Sequence, residues 1–206
     1  MLQEYFDKLK HVDGKPSWLF DPKAVVEKNR LFAFHPAVQE LHAYVLDDEN
    51  TSNHHFLITA EPLAGCVFFL SHDDDSRVVF ESVSDFLKAV YEAQAQGLSV
   101  SDFHPHLSPV AKDQTAITNF IHALIQRGEC NDLIVSLIPS LDLKDMSLLH
   151  VIVSNSDFYL GEAVAIEIEK RPSNALLPVA TACAKHIHPQ VSRAGARALQ
   201  RIQQLS

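Results

Sequence analysis

Cysteine and glycine are scarce in this sequence of 206 residues. The three cysteines, Cys66, Cys130 and Cys183, are odd in number and far apart. Their spacing therefore predicts neither a disulfide framework nor a paired zinc knuckle. With only six glycines, the chain has no glycine-rich phosphate loop, and the G-x-S-x-G motif of serine hydrolases is also missing. These absences argue against an enzyme, and we expect no cofactor.

Long apolar runs are also missing. None approaches the roughly 18 residues that a membrane helix needs, and the first ten residues, MLQEYFDKLK, mix polar and apolar side chains. We therefore expect no membrane segment, no secretory leader and a cytoplasmic location. The apolar content of 47% is nevertheless sufficient for a well-packed core.

Basic charge is deficient in the first half only. Residues 1–110 carry 8 Lys and Arg against 17 Asp and Glu, whereas residues 111–206 carry nine of each kind. The whole net charge of −9 therefore belongs to the first half. A field of that sign repels phosphate backbones and attracts cations, which favours a protein partner with a basic surface and argues against nucleic acid. A merely solubilising acidic surface is the alternative.

The hydrophobic pattern predicts a sheet in the first half. Short stretches rich in aromatic and β-branched residues alternate with polar turns and predict strands at 30–35, 41–46, 54–59, 66–70 and 77–82. A helix should follow, with its apolar stripe across the sheet, a capping box at Ser82 and Asp85, and Gly97 as its end.

The second half shows helical periodicity instead. One apolar stripe begins at Ile117 and ends before Gly128, and two others occupy 176–187 and 191–202. Residues 161–170 nearly alternate, but their flanking helices favour a helix. We therefore predict an α+β domain at 1–98 with an antiparallel sheet and packed helices, a linker at 99–113, and an all-α region of helical hairpins at 114–206.

Two family resemblances follow from these motifs. The segment ALLPVATACAKHIHPQVSRAGARALQRI, residues 175–202, resembles a HEAT-type repeat, in which small residues let antiparallel helices approach closely. Residues 41–91, with LHAYVL, HHFLIT, GCVFFLSHDDD and RVVFESVSDFLKAV, resemble the SUKH superfamily, which includes a yeast cell-wall-synthesis regulator and many bacterial immunity proteins. The SUKH resemblance implies an α+β fold that works by protein contact, without a catalytic group.

The run His72, Asp73, Asp74, Asp75 could be a metal site or a turn. Adjacent residues in one turn cannot all point at a single ion, whereas Asp and Ser readily hydrogen-bond their own backbone in a bend. We favour the turn. The histidine pairs 54/55, 104/106 and 186/188 lack the spacing of a firm zinc site, and His104 and His106 are interpreted as solvated linker residues. No metal is predicted.

Two charged surfaces are candidates for partner binding. The first is an acidic rim formed by two hairpin tips, with Asp47, Asp48 and Glu49 on one tip and Asp73, Asp74 and Asp75 on the other. The second is an arginine stripe, in which Arg193, Arg197 and Arg201 recur every fourth residue along the last helix. The stripe could meet an acidic surface, including the first half of a second copy in a homodimer. Solvated charged faces are the alternative for both.

The sequence therefore favours a non-enzymatic interaction module, with toxin immunity as the commonest task that the SUKH resemblance implies. A helical scaffold that binds through its second half is the first alternative. A metal-dependent hydrolase that uses His72, the neighbouring aspartates and distant histidines is the second.

Overall fold

The chain forms two compact units, Met1–Lys112 and Asp113–Ser206. The structure, a computed structural model, describes residues 1–10, 14–49, 51–72 and 76–205. Within those residues it contains ten α-helices and four strands, together with four short 3-10 helices. No helix in the described ranges is both long enough and apolar enough to cross a bilayer.

The first unit holds the four-stranded antiparallel sheet, in the order β1-β2-β3-β4. Its helices and strands are α1 Leu2–Leu9, α2 Pro22–Asn29, α3 Pro36–Glu40, β1 Tyr44–Val45, β2 His54–Leu57, β3 Val67–Leu70, β4 Arg77–Phe80 and α4 Val83–Gln96. The predicted α+β class is confirmed.

One predicted strand is wrong. Residues 30–35 form a 3-10 helix over Arg30–Phe32 and a turn, because α2 continues directly into them in helical conformation. Pro36 then starts α3, and the His35 side chain accepts a hydrogen bond from the amide of Ala37. Leu31 and Phe34 are 63% and 76% exposed, so this apolar stretch is not a buried strand.

Helix α4 begins and ends as the sequence predicts. The Ser82 hydroxyl accepts a hydrogen bond from the amide of Asp85, and Gly97 ends the helix in the left-handed conformation at φ 67°. Phe86 on α4 lies 5.1 Å from His55 on β2, ring centre to ring centre, so the helix packs against the sheet.

Residues 99–112 are not a linker, because they belong to the first unit. Val100 is fully buried, and residues 100–103 form a 3-10 helix closed by a capping box between Ser99 and Asp102. Two prolines and several hydroxyl side chains are typical of a linker, but here they form a segment folded back onto the sheet. The boundary between the units lies at Lys112.

The second unit is entirely helical among its described residues. Its helices are α5 Gln114–Arg127, α6 Asn131–Leu137, α7 Met146–Val153, α8 Phe158–Lys170, α9 Leu177–Ala184 and α10 Pro189–Gln203. The preference for a helix over a strand at 161–170 is confirmed, with Asp157 as the N-cap of α8. Gly128 ends α5 at φ 68°, as its position predicts.

Helix α10 packs tightly against α9, and Gly195 is the point of closest approach. A Cβ at position 195 would lie 2.3 Å from the amide nitrogen of Ala184 and 2.5 Å from the carbonyl carbon of Cys183. Both atoms are backbone and cannot move aside. Glycine is therefore required where these helices meet.

Candidate partner-binding groove and a buried histidine network

A carboxylate and a histidine are paired in the interior of the first unit. Asp47 and His55 are 1% and 2% exposed. The Asp47 carboxylate accepts the backbone N–H of His55 at 2.7 Å and approaches Nδ1 of the same residue at 2.5 Å. An ionised carboxylate can only accept, so the geometry suits the tautomer of His55 in which Nδ1 donates to Asp47. Both carboxylate oxygens are thereby satisfied by one residue.

A second histidine extends this pair. Nε2 of His55 lies 2.8 Å from Nε2 of His104, and the two rings meet edge to face at 81°. Two imidazole nitrogens at that distance share one proton, so one ring donates and the other presents its lone pair. The two rings cannot both be cations while this bond is made. We call Asp47, His55 and the half-buried His104 the buried network.

Strand pairing brings Asp47 and His55 together. The residues of β1 pair with those of β2, and Leu46 and His55 continue the ladder with a hydrogen bond of 2.8 Å. Asp47 also forms an isolated bridge with Leu19 on its other side. Its backbone is therefore fixed from two directions, which directs the carboxylate at His55.

The buried network lies among phenylalanine rings. The His104 ring is 4.5 Å from Phe69 and 5.5 Å from Phe80, and Phe86 lies 5.1 Å from His55, all between ring centres. Burial of the ring, with smaller effects from His55 and Arg77, lowers the pKa of His104 to about 3. His104 therefore stays neutral at physiological pH, and its single ring proton leaves one nitrogen to accept.

A groove lies next to the buried network. Its volume is about 460 Å³, and its lining residues are Val79, Phe80, Glu81, Asp85, Lys88, Ala89, Glu92, Phe103, Pro105, Leu107, Ser108 and Pro109. One wall is a single face of α4, because positions 85, 88, 89 and 92 follow helical spacing. The other wall is the segment 103–109, and Val79 and Phe80 of β4 form the floor.

Three contacts hold the segment 103–109 in place. His104 reaches inward to His55, between the two groove residues Phe103 and Pro105. The Arg77 guanidinium donates to the Pro105 carbonyl at 2.6 Å and to the Ser108 hydroxyl at 3.2 Å. The buried network therefore fastens one wall of the groove to the sheet.

The predicted acidic rim is wrong for Asp47, which is buried and belongs to the network. Asp48 is half-buried, 3.9 Å from the Lys28 ammonium. Glu49 accepts hydrogen bonds from the Ser99 hydroxyl at 2.5 Å and from the Val100 amide at 3.2 Å. It thereby caps the 3-10 helix Val100–Phe103. Asp73, Asp74 and Asp75 lie outside the described residues. For Asp48 and Glu49, partner binding stays a prediction.

The arginine stripe lies on the exposed face of α10. Arg193, Arg197 and Arg201 are all exposed. The Arg193 Nε donates to the Pro189 carbonyl at 3.2 Å, and Arg197 pairs with Glu169 at 2.8 Å. Part of the stripe is thus used within the second unit, and its role in a homodimer stays a prediction.

The interpretation of His104 as a solvated linker residue is wrong, because it contacts His55, Phe69 and Phe80. His106 is exposed, as expected. His72 is exposed, and its amide donates to the Asn53 side chain at 2.8 Å. Within the described ranges, no three His, Cys, Asp or Glu side chains are grouped as metal ligands.

Comparisons of this chain with protein-family models, with curated proteins and with solved structures find no match. The SUKH and HEAT resemblances therefore stay predictions.

Proposed function

We propose that this protein is a non-enzymatic interaction module whose acidic first unit binds a partner protein with a basic surface. The observation that supports this proposal is the distribution of charge between the units. Residues 1–112 carry 9 Lys and Arg against 17 Asp and Glu, whereas residues 113–206 carry 8 against 9. Such a field increases the rate at which a cationic protein meets the first unit.

The buried network also favours binding over catalysis. The two ring nitrogens of His55 are engaged by Asp47 and His104, and neither of these is a hydroxyl or thiol nucleophile. An Asp and His pair activates a nucleophile only when the second ring nitrogen faces one. We interpret the network as a structural fastening for the wall of the groove.

The SUKH resemblance narrows the proposal to toxin immunity in the cytoplasm, where the protein would bind and occlude a basic toxin. Blocking a toxin by contact needs surface complementarity and rapid association, and it needs no chemistry from the immunity protein. Electrostatic steering supplies the rapid association.

The test is co-purification of the full chain with its partner from native cells, followed by stopped-flow measurement of association at increasing ionic strength. We expect a partner with a basic surface and an association rate that falls about tenfold or more between low and physiological salt. An acidic partner, or a rate that does not change with salt, would contradict the proposal. Rescue of cells that express the co-purified protein as a toxin would support the immunity role.

A scaffold that binds through the second unit is the second candidate. Ile187, between α9 and α10, is 96% exposed, and Tyr159 at the start of α8 is 53% exposed. Phe158 and His188, which are the chain neighbours of these two residues, stack with their ring centres 3.6 Å apart, and apolar side chains that are exposed close together mark interaction sites. The variant Ile187→Asp distinguishes the candidates, because it should abolish partner capture by a scaffold and leave capture by the first unit unchanged.

A further inference from the structure

The groove has two chemically different components, apolar walls and charged edges. Phe103, Pro105, Leu107 and Pro109 provide apolar surface on one side, and Leu107 is 40% exposed. Val79 and Phe80, which also line the groove, are buried. A groove of this composition suits an amphipathic segment that buries apolar side chains and keeps its polar side in water.

The charged groups at the groove are mainly carboxylates. Glu81, Asp85 and Glu92 line it, against the single lysine Lys88. Glu81 lies 3.1 Å from the Lys112 ammonium, and Glu92 lies 3.9 Å from that of Lys88, but all four side chains are largely exposed. Exposed ion pairs contribute little stability. Cations of a partner could therefore replace these lysines at low cost.

The spacing of the carboxylates matches that of cations on a helical occupant. Asp85 and Glu92 are seven residues apart on α4, which separates them by about 10 Å along the helix axis. One small cation cannot span that distance. Lysines or arginines two turns apart on a helix have the same separation.

We infer that the groove between α4 and the segment 103–109 binds an amphipathic helical segment of the partner protein, with lysine or arginine facing Glu81, Asp85 and Glu92. This inference rests on the proposed function and deepens it by assigning the binding site. The apolar side of the helix contacts Phe103 and Leu107. The buried network keeps the wall that carries these residues in its binding position.

The test is an NMR titration of the ¹⁵N-labelled full chain with three synthetic peptides. The first is an amphipathic helix of leucine, alanine and lysine. The second has glutamate in place of lysine, and the third is a scrambled lysine peptide without an apolar face. We expect saturable shifts of amides in 79–92 and 103–109 with the first peptide only. Shifts confined to other segments, or equal binding of the glutamate peptide, would overturn the inference.

Variants inside and outside the groove test whether its own side chains bind the peptide. The double variant Glu81→Gln/Glu92→Gln, and separately Leu107→Asp, should each weaken binding of the lysine peptide about tenfold. The control Glu4→Gln/Glu27→Gln changes the net charge by the same amount at exposed helical positions outside the groove, and should change affinity by less than about twofold. Equal effects of the two charge variants would overturn the inference.

The same variants separate this inference from the proposed function. If the co-purified native partner keeps its salt-dependent association in Glu81→Gln/Glu92→Gln and loses it in Glu4→Gln/Glu27→Gln, the groove is not the site, although the first unit still binds a basic protein. If association does not depend on salt in any variant, the proposed function itself fails.

Discussion

Among the residues that the structure describes, each unit buries one carboxylate, and the two carboxylates are neutralised in different ways. Asp47 in the first unit is 1% exposed, and its partner His55 leads on to His104, 49 residues further along the chain. Glu167 in the second unit is 3% exposed, but it pairs with Lys170 and Arg171 at the end of its own helix. The first arrangement joins residues that are 49 positions apart, whereas the ion pairs of the second join residues only three and four positions apart.

Because of this difference, only Asp47 is linked through hydrogen bonds to the proposed binding groove. The buried network of the first unit ends at the wall of the groove. Arg171, one of the two partners of Glu167, also donates a hydrogen bond to the Leu141 carbonyl at 2.7 Å. A change to the network should therefore alter the groove, whereas a change to Glu167 should alter the helical packing only.

The largest effect is expected from Asp47→Ala. The substitution leaves the N–H groups of His55 without an acceptor in the interior, and it should lower the free energy of unfolding by about 4 kcal/mol. The fluorescence of Trp18, the only tryptophan, reports on the first unit during urea unfolding.

The control is Asp48→Ala, one residue further along and half-buried. It should cost about 0.5 kcal/mol. If the two substitutions destabilise the protein equally, the buried network has no special role in the stability of the first unit.

A slightly smaller effect is expected in the second unit from Gly195→Ala. The added Cβ would overlap backbone atoms of Ala184 and Cys183, so α10 must shift, at a cost of about 3 kcal/mol. Hydrogen exchange of the α9 and α10 amides measures the loss.

Gly161→Ala is the matched control in the same unit. There the added Cβ would meet the Val191 side chain at 3.3 Å, which can adjust, so about 1 kcal/mol is expected. A larger loss in Gly161→Ala than in Gly195→Ala would contradict the close approach of α9 and α10.

Acid should destabilise the first unit through His104. Its pKa is about 3 in the folded chain and about 6.5 when unfolded, so the unfolded state binds the additional proton between these values. Stability is therefore complete above about pH 6.5 and falls as the pH is lowered towards 3, by at most about 1.4 kcal/mol per pH unit.

The variant His104→Gln can still hydrogen-bond His55 but does not titrate. Its unfolding free energy, followed by Trp18 fluorescence between pH 7 and 4.5, should change less with pH than that of the wild type. Identical slopes for the two proteins would exclude His104 as the source of the acid sensitivity.

The smallest effect is expected from Glu167→Ala. Lys170 and Arg171 have side chains that are 30% and 20% exposed, so they can turn towards water when the carboxylate is lost. The cost should be about 1.5 kcal/mol, measured by circular dichroism during urea unfolding. A loss as large as that of Asp47→Ala would remove the contrast between the two units.

Local signals allowed much of the fold to be predicted. Ser82 and Gly97 bound α4, and Asp157 begins α8, because capping depends on a few adjacent residues. The stretch 30–35 was mispredicted because its aromatic composition resembles that of a strand, although the preceding helix decides its conformation. Residues 99–112 were mispredicted because the contacts that hold them come from Glu49, His55 and Arg77, which are distant in sequence.

The candidate site was harder to predict for the same reason. Asp47 and His55 flank a hairpin, and correct pairing of the predicted strands would have placed them close together. No sequence signal links His104 to either of them, since this contact depends on how the segment 99–109 folds back. The charged residues on the α4 side of the groove have helical spacing at 85, 88 and 92, but the wall opposite them follows only from the three-dimensional structure.

Hydrogen–deuterium exchange of the full chain, with and without its co-purified native partner, tests most directly whether the groove is the binding site. We expect added protection in residues 79–92 and 103–109 on binding, and none in 113–206. Protection confined to α8, α9 and α10, with the groove unchanged, would contradict it.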